Sequence, residues 1–304
     1  ILNLINSKYK HINKQSAKEY FLENDYFKKR ETLFNNINLI LPGEIGYVIN
    51  NQIFFKRLYK KIKPKKNNSE KKYIDFMKKN IINHTISDKK ISLSLSSGLD
   101  SSLIAQVIYT KLKKNYNLTA YTYDFEGGSY EYEKAKKFTK SYNKKIKKVL
   151  ITKDYLINNF EKFVKANEGP IGGIAQFGLF KVCDQAKKDG FDVILSGFGL
   201  DECFGSYQSF KKKINNKSFE LIDKKNISNN DLIKKDDFSD IIKNINDYFF
   251  KIKIPRTTHM VDRSSMYNSI EMRLPFLERK FVEKSVSMIK KSEKIDKLMI
   301  RNYM

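Results

Sequence analysis

Twice along this chain a strand-like apolar run empties into a loop of glycine and serine that carries a single aspartate. In the first instance Ile91 to Ser96 (Ile-Ser-Leu-Ser-Leu-Ser) alternates at period two and enters Ser97-Gly98-Leu99-Asp100-Ser101-Ser102. From Ser101 to Lys114 the apolar residues Leu103, Ile104, Val107, Ile108 and Leu112 then recur at helical spacing. In the second, Phe191 to Leu195 precedes Ser196-Gly197-Phe198-Gly199-Leu200-Asp201-Glu202-Cys203-Phe204-Gly205-Ser206-Tyr207. A strand, a small-residue turn and a helix, repeated, require parallel strands whose loops emerge at one end of a sheet. Further strand-like segments at 118 to 125 and 146 to 151 and a helical pattern from Tyr73 to Thr85 complete the alternation. The expected fold is α/β, a parallel twisted sheet with helices on both faces, followed by a mostly helical C-terminal part.

The first loop has the make-up of an anion cradle. Gly98 permits close approach of backbone to a ligand, the serines supply hydroxyl and amide donors, and the amino terminus of the following helix carries a positive dipole end. Asp100, an acid among donors, suits a divalent cation that bridges phosphates, because magnesium prefers hard oxygen ligands. Asp201 in the second loop makes the second member of a candidate metal pair. Taken singly, each loop also fits an ordinary strand-to-helix turn in which Ser or Asp caps the helix.

Taken together, Leu95 to Ser102, Leu195 to Tyr207 and Asp262 to Leu277 (Asp-Arg-Ser-Ser-Met-Tyr-Asn-Ser-Ile-Glu-Met-Arg-Leu-Pro-Phe-Leu) resemble the asparagine synthetase family. Tyr121 to Glu126 with Ser129-Tyr130-Glu131 is similar to that family's second strand and the helix start after it. Thr32 to Tyr59, with Leu33-Phe34, Leu41-Pro42-Gly43-Glu44 and a hairpin-like Gly46 to Arg57, resembles the segment joining the family's glutaminase and synthetase domains. Lys297 with Arg301 resembles a basic pair late in the synthetase domain. The resemblance covers nearly the whole chain and implies an adenine nucleotide alpha hydrolase-like sheet. Its domains would be a glutaminase-type tail and linker over 1–62 and an ATP-dependent synthetase domain over 63–304, truncated at its C-terminus. A start at Ile1 likewise reads as a fragment, with a glutaminase domain expected upstream.

The implied activity is an amide-forming ligase. ATP activates a carboxylate, aspartate in the family, as an acyl-adenylate; pyrophosphate leaves and ammonia attacks. Carried onto this chain, Ser96, Ser97, Gly98, Asp100, Ser101 and Ser102 cradle pyrophosphate, while Leu95, Tyr123, Ser196 and Gly197 flank the adenosine. Asp100 and Asp201 hold Mg2+, and Lys297 neutralises charge on the departing pyrophosphate, with Arg301 beside it. Three departures bear on the substrate. Phe198 stands where the family places Glu or Gln, and a phenyl ring can neither hydrogen-bond ammonia nor take its proton. Either Glu202 takes that polar role or the acid differs, for instance a cell-surface sugar acid. Ser97 replaces a glycine, and Asn167 to Gly173 resembles an acidic, Pro-containing loop with altered spacing.

Composition bounds the remaining classes. No apolar run is long enough to span a membrane and no signal-peptide pattern is present, which points to a cytoplasmic enzyme without a membrane partner. Cys183 and Cys203 are widely separated and expected to be reduced, and His11, His84 and His259 pair with no cysteine cluster, so no zinc site is expected. The formal net charge is +25, yet only seven of the 59 basic residues are arginine. Nucleic-acid readers favour arginine forks and local basic stripes, whereas these lysines are spread along the chain. No specific nucleic-acid partner is expected, although a pyrophosphate-loop enzyme acting on nucleic acid, or a noncatalytic nucleotide binder, would share the loop. Between Lys211 and Asp240 the sequence is polar and reads as a surface loop. Glu271 and Arg273 read as an ion pair at the Arg273-Leu274-Pro275-Phe276 corner.

Overall fold

The computed structural model describes residues 11–23, 30–58, 69–112, 118–128, 130–169, 173–204, 253–289 and 297–304. The expected surface loop at 211 to 240, Gly205 to Tyr207, Ser129, Pro170 to Gly172 and most of the lysine-rich stretch after Tyr59 lie outside the described residues. After a first helix, α1 (Lys14–Glu23), a hairpin pairs β1 (Glu44–Ile49) with β2 (Gln52–Arg57). Its two-residue turn, Asn50-Asn51, has φ of 49° and 61°, left-handed values that asparagine tolerates and that match the twist of the flanking strands. Arg30 fastens the hairpin, its guanidinium bonded to Glu44 at 2.8 Å and stacked 3.6 Å over the Phe55 ring.

The main body alternates as expected. It runs α2 (Glu70–Asn83), β3 (Ile91–Ser94), α3 (Leu99–Lys111), β4 (Thr119–Phe125), α4 (Glu131–Ser141), β5 (Ile146–Ile151), α5 (Lys153–Asn167), α6 (Ile174–Lys188), β6 (Val193–Leu195) and α7 (Leu200–Phe204). Then come α8 (Ile254–Met266), β7 (Glu271–Arg273), a 3-10 turn over Pro275–Leu277, α9 (Arg279–Ser287) and α10 (Leu298–Tyr303). Five strands form one sheet in the order β5-β4-β3-β6-β7, and every pairing is parallel. Within the mostly helical C-terminal part, β7 (Glu271–Arg273) was not expected; it adds the edge strand beside β6. Three residues carry too short a pattern to be read as a strand.

Alternation sorts the side chains onto two faces. Leu93, Ala120, Val193 and Leu195 pack with Met77 of α2, Ile104 of α3, Ala135 of α4 and Phe281 of α9. Tyr121, Val149 and Ile194 meet Val182, Cys183 and Ala186 of α6 on the opposite face, flanked by Phe163 of α5 and Phe180 of α6. Both cysteines are free and buried. The serine face of β3 is not a solvent face. Ser92 is fully buried, and its hydroxyl donates to the Val193 carbonyl at 3.1 Å, which satisfies it on the neighbouring strand.

The chain leaves β3 toward β4 and β5 on one side, whereas β6 and β7 lie on the other side of β3. The carboxyl ends of β3 and β6 therefore flank the topological switch point, where open α/β sheets leave a crevice. Both glycine-bearing loops emerge there. Among the described residues no helix is long and apolar enough to cross a membrane.

Candidate active site

The two loops touch backbone to backbone. A Cβ on Gly197 would lie 2.7 Å from the Ser101 amide nitrogen and 2.9 Å from the Asp100 carbonyl carbon, so only glycine allows the second loop to seat against the first turn of α3. Gly199, at φ +105°, adopts a left-handed conformation that other residues rarely take, and it packs against Leu277. The first loop uses its own amides internally. Ser96 N–H donates to Ser101 Oγ at 3.0 Å, Gly98 N–H to Ser96 Oγ at 3.1 Å and Ser97 N–H to the Glu131 carboxylate at 2.8 Å. Helix geometry leaves the first-turn N–H groups of α3, at Leu99, Asp100 and Ser101, without an intrahelical acceptor. These N–H groups, with the Ser96 and Ser101 hydroxyls 2.9 Å apart, form the donor array.

A cavity of about 530 Å³ opens above that array. Ser96, Gly98, Asp100 and Ser101 line it from the first loop, Ser196, Gly197, Phe198, Asp201 and Glu202 from the second, Tyr123 from β4, and Lys297 and Arg301 from the start and middle of α10. Leu95, expected beside the adenosine, and Ser97 and Ser102, expected in the cradle, do not line this cavity. Leu95 is 1% exposed within the core, Ser97 is exposed with its amide turned to Glu131, and Ser102 is buried on α3 with its N–H donating to the Gly98 carbonyl. Ser94, Leu99, Gly199, Ala175 and Leu179 of α6, and Met260 of α8 add to the wall. The first three belong to the two strand-and-loop motifs, but nothing in the local sequence marks Met260, whose place depends on how α8 crosses α6. Gly178 of α6 lets that helix lie on the Tyr123 ring, where a Cβ would stand 2.5 Å from the ring edge.

Lys297 joins the loops. It is 5% exposed, and its Nζ bonds to Asp100 Oδ1 and, at 2.8 Å, to Asp201 Oδ1. Glu202 is 3% exposed beside them. Burial pushes the Asp100 carboxyl up, the Lys297 ammonium opposes this, and the charges of Asp201 and Glu202 add to the rise. Such a site holds negative charge at a cost and favours a cation. Among the described residues no group of three or more His, Cys, Asp or Glu side chains is placed to hold a metal ion. Two carboxylates on the cavity wall nevertheless fit magnesium as a partner of phosphate, since that ion takes one or two carboxylates and completes its shell with phosphate oxygens and water. The donor set is hard oxygen throughout.

The remaining expected features are placed as follows. Glu271 and Arg273 pair at 2.8 Å, and Arg273 also donates to the His84 and Ile86 carbonyls, so this arginine ties β7 to the end of α2. Asn167 and Glu168 close α5. Asn167 accepts from Gln176 at 2.5 Å and donates to the Gly169 carbonyl at 3.0 Å, and Glu168 pairs with Arg263 of α8 at 2.9 Å.

Comparison with known proteins places this geometry in a family. The asparagine synthase family pattern matches residues 75–304. A putative glutamine-hydrolysing asparagine synthetase of Methanocaldococcus jannaschii is 26% identical over 291 residues, covering 94% of this chain and 45% of the relative. The glutamine-hydrolysing asparagine synthetase 1 of Bacillus subtilis is 27% identical over 218 residues, covering 69% of this chain and 34% of the relative. The chain thus spans less than half the length of these curated relatives. Among solved structures, a U34-tRNA thiolase of Methanococcus maripaludis with its [4Fe-4S] cluster aligns over 66% of this chain and 79% of its own, at 16% identity and a TM-score of 0.35, too distant to carry an argument. With the family pattern covering both loops, β7 and Lys297, the chain belongs to the asparagine synthase family.

Proposed function

We propose that this chain carries the synthetase half of an ATP-dependent amide-forming ligase. A carboxylate, aspartate by family likeness, attacks the α-phosphorus of ATP; the bond to the β-phosphate oxygen breaks, and pyrophosphate departs from the acyl-adenylate. Ammonia then attacks the acyl carbon and AMP leaves. The observation that carries this reading is the buried ammonium of Lys297 spanning Asp100 and Asp201 on the cavity wall. Such an ammonium beside the first-turn N–H groups of α3 stabilises charge that accumulates on pyrophosphate, in a position fixed before reaction. Asp100 and Asp201 would hold Mg2+, which when bound supplies further neutralisation of the phosphates. Tyr123, Ser196 and Gly197 would flank the adenosine, and Arg301 lies where it would meet an anionic group of either substrate.

Phe198 on the cavity wall favours a second reading of the acid, in which the chain amidates a carboxylate other than aspartate. In the first reading Glu202, buried next to Asp201, takes the polar role that Phe198 lacks. Residues 1–62 would be the tail of a glutaminase-type domain and a linker, and the donor of ammonia would be that domain's glutamine or free ammonium in the cytoplasm.

The test is pyrophosphate release from ATP and magnesium with an ammonium salt, comparing aspartate with no acid and with a panel of other carboxylates, and Asp100→Ala as control. Aspartate-dependent release with asparagine formed, abolished by the substitution, is expected. Release with another acid alone keeps the ligase and changes its substrate. No release with any acid defeats the reading.

A further inference from the structure

Glu131 begins α4, outside both loops, and does not line the cavity, yet its Oε2 accepts the Ser97 N–H at 2.8 Å across 34 residues of sequence. The Ser96–Ser97 peptide is held from both ends. Its carbonyl oxygen lies 3.2 Å from the Ser101 hydroxyl, and its N–H is taken by Glu131. Ser96 and Gly98 face the cavity while Ser97 between them is turned outward, so the orientation of this peptide decides which way the loop presents its neighbours. The carboxylate itself is set by the first turn of α4, whose N-cap, Tyr130, sits in the left-handed region at φ 56°. β4 therefore supplies the cavity with Tyr123, and α4 supplies the loop with its outer anchor. The Glu131 charge is felt at the Tyr123 hydroxyl, whose pKa is raised by burial and further by this carboxylate.

We propose that Glu131 is a positioning residue for the nucleotide: by accepting the Ser97 N–H it locks the Ser96–Ser97 peptide so that the first-turn N–H groups of α3 and the Ser96 hydroxyl are aimed at a phosphate. This rests on the reading of the cavity as an ATP site. A carboxylate acceptor shared with a backbone donor is among the stronger hydrogen bonds. Without it the Ser96–Ser97 peptide keeps only its bond to the Ser101 hydroxyl and is free to turn, and ATP must order the loop as it binds.

Three variants separate reach from charge, each followed by calorimetric titration with ATP and magnesium without any acid, by KM and kcat for pyrophosphate release, and by melting temperature. Glu131→Gln keeps an acceptor oxygen at the same reach and is expected to stay within about threefold of the wild type in ATP affinity, while Glu131→Asp keeps the charge but withdraws it by one methylene and is expected to lose about tenfold. Glu131→Ala should match Glu131→Asp, with KM for ATP raised in step and KM for the acid unchanged. An ATP affinity in Glu131→Asp equal to that of the wild type overturns the proposal. So does a Gln variant weaker than the Asp variant, which would assign the effect to charge, or a fall in melting temperature with KM unchanged, which would make the bond merely structural. Wild-type protein that binds no ATP overturns the reading of the cavity along with it, and that control tells the two failures apart.

Discussion

At the residue scale the decisive side chain is Lys297, whose Nζ is shared by two carboxylates from separate loops while it is itself 5% exposed. Removing one partner of a buried ion pair leaves charge without compensation, and the loss is smaller where one member reaches solvent, as Asp201 does at 37% side-chain exposure. Lys297→Ala is expected to cost about 2 kcal/mol of stability in metal-free buffer. Magnesium chloride should recover part of this, because a divalent cation replaces the missing ammonium. Melting curves with and without magnesium check both points, and an unchanged wild-type-like melt would refute the bridge. Pyrophosphate release in the variant should fall by about a hundredfold, the scale on which a lost preorganised donor is felt. Lys297 was legible only through family likeness, since nothing in its local sequence distinguishes it among 59 basic residues. Asp100 and Asp201 stood out by their place after apolar runs. Gly197 was legible as a glycine, but its reason, contact with the backbone of Asp100 and Ser101, is tertiary. Leu95 shows the opposite: adjacent to the motif, it points into the core because alternation along β3 sends it with Leu93.

At the scale of elements, the strands that read by alternation and the helices that read by spacing appear close to their expected places. β3 ends at Ser94, two residues before the alternation does, because pairing with β4 and β6 stops where the chain must turn into the loop. β7 was not legible at three residues; it pairs with β6, and Arg273 is also held from outside the strand by the His84 and Ile86 carbonyls. At the opposite end of the sheet from the cavity, Asp189 after α6 gathers three elements: it accepts from Tyr121 of β4 at 2.5 Å, Lys147 of β5 at 2.7 Å and Gln185 of α6 at 3.1 Å. Desolvation raises its carboxyl, but the bonds from Lys147, Tyr121 and Gln185 outweigh this and hold it below the ordinary 3.8. A carboxylate with a depressed folded pKa contributes stability that is present above its unfolded value and lost as pH falls through the folded one. Asp189→Asn is therefore expected to lower the melting temperature at neutral pH and to flatten its fall on acidification below about pH 4. A variant whose acid limb parallels that of the wild type would exclude Asp189 from the acid response.

At the scale of the whole molecule, strand order makes a site of loops that lie far apart in sequence. β3 and β6 become neighbours only because the chain first builds β4 and β5 to one side and returns, and no local pattern announces that reversal. The long-range field was legible from composition alone. A formal charge of +25 raises the local concentration of ATP and acidic substrates and also of any polyanion. If the lysines serve attraction and not recognition, short single-stranded DNA and RNA should bind at about 50 mM salt without sequence preference and should lose that binding by about 300 mM, as phosphate contacts through counterion release do. Pyrophosphate release should proceed without RNA at either salt concentration, with KM for ATP rising as ionic strength screens the field. Titrations of fluorescent oligonucleotides of several sequences, run beside the release assay, measure both. A sequence preference that persists at high salt, or release that requires RNA, would favour a pyrophosphate-loop enzyme that modifies nucleic acid over the amide ligase.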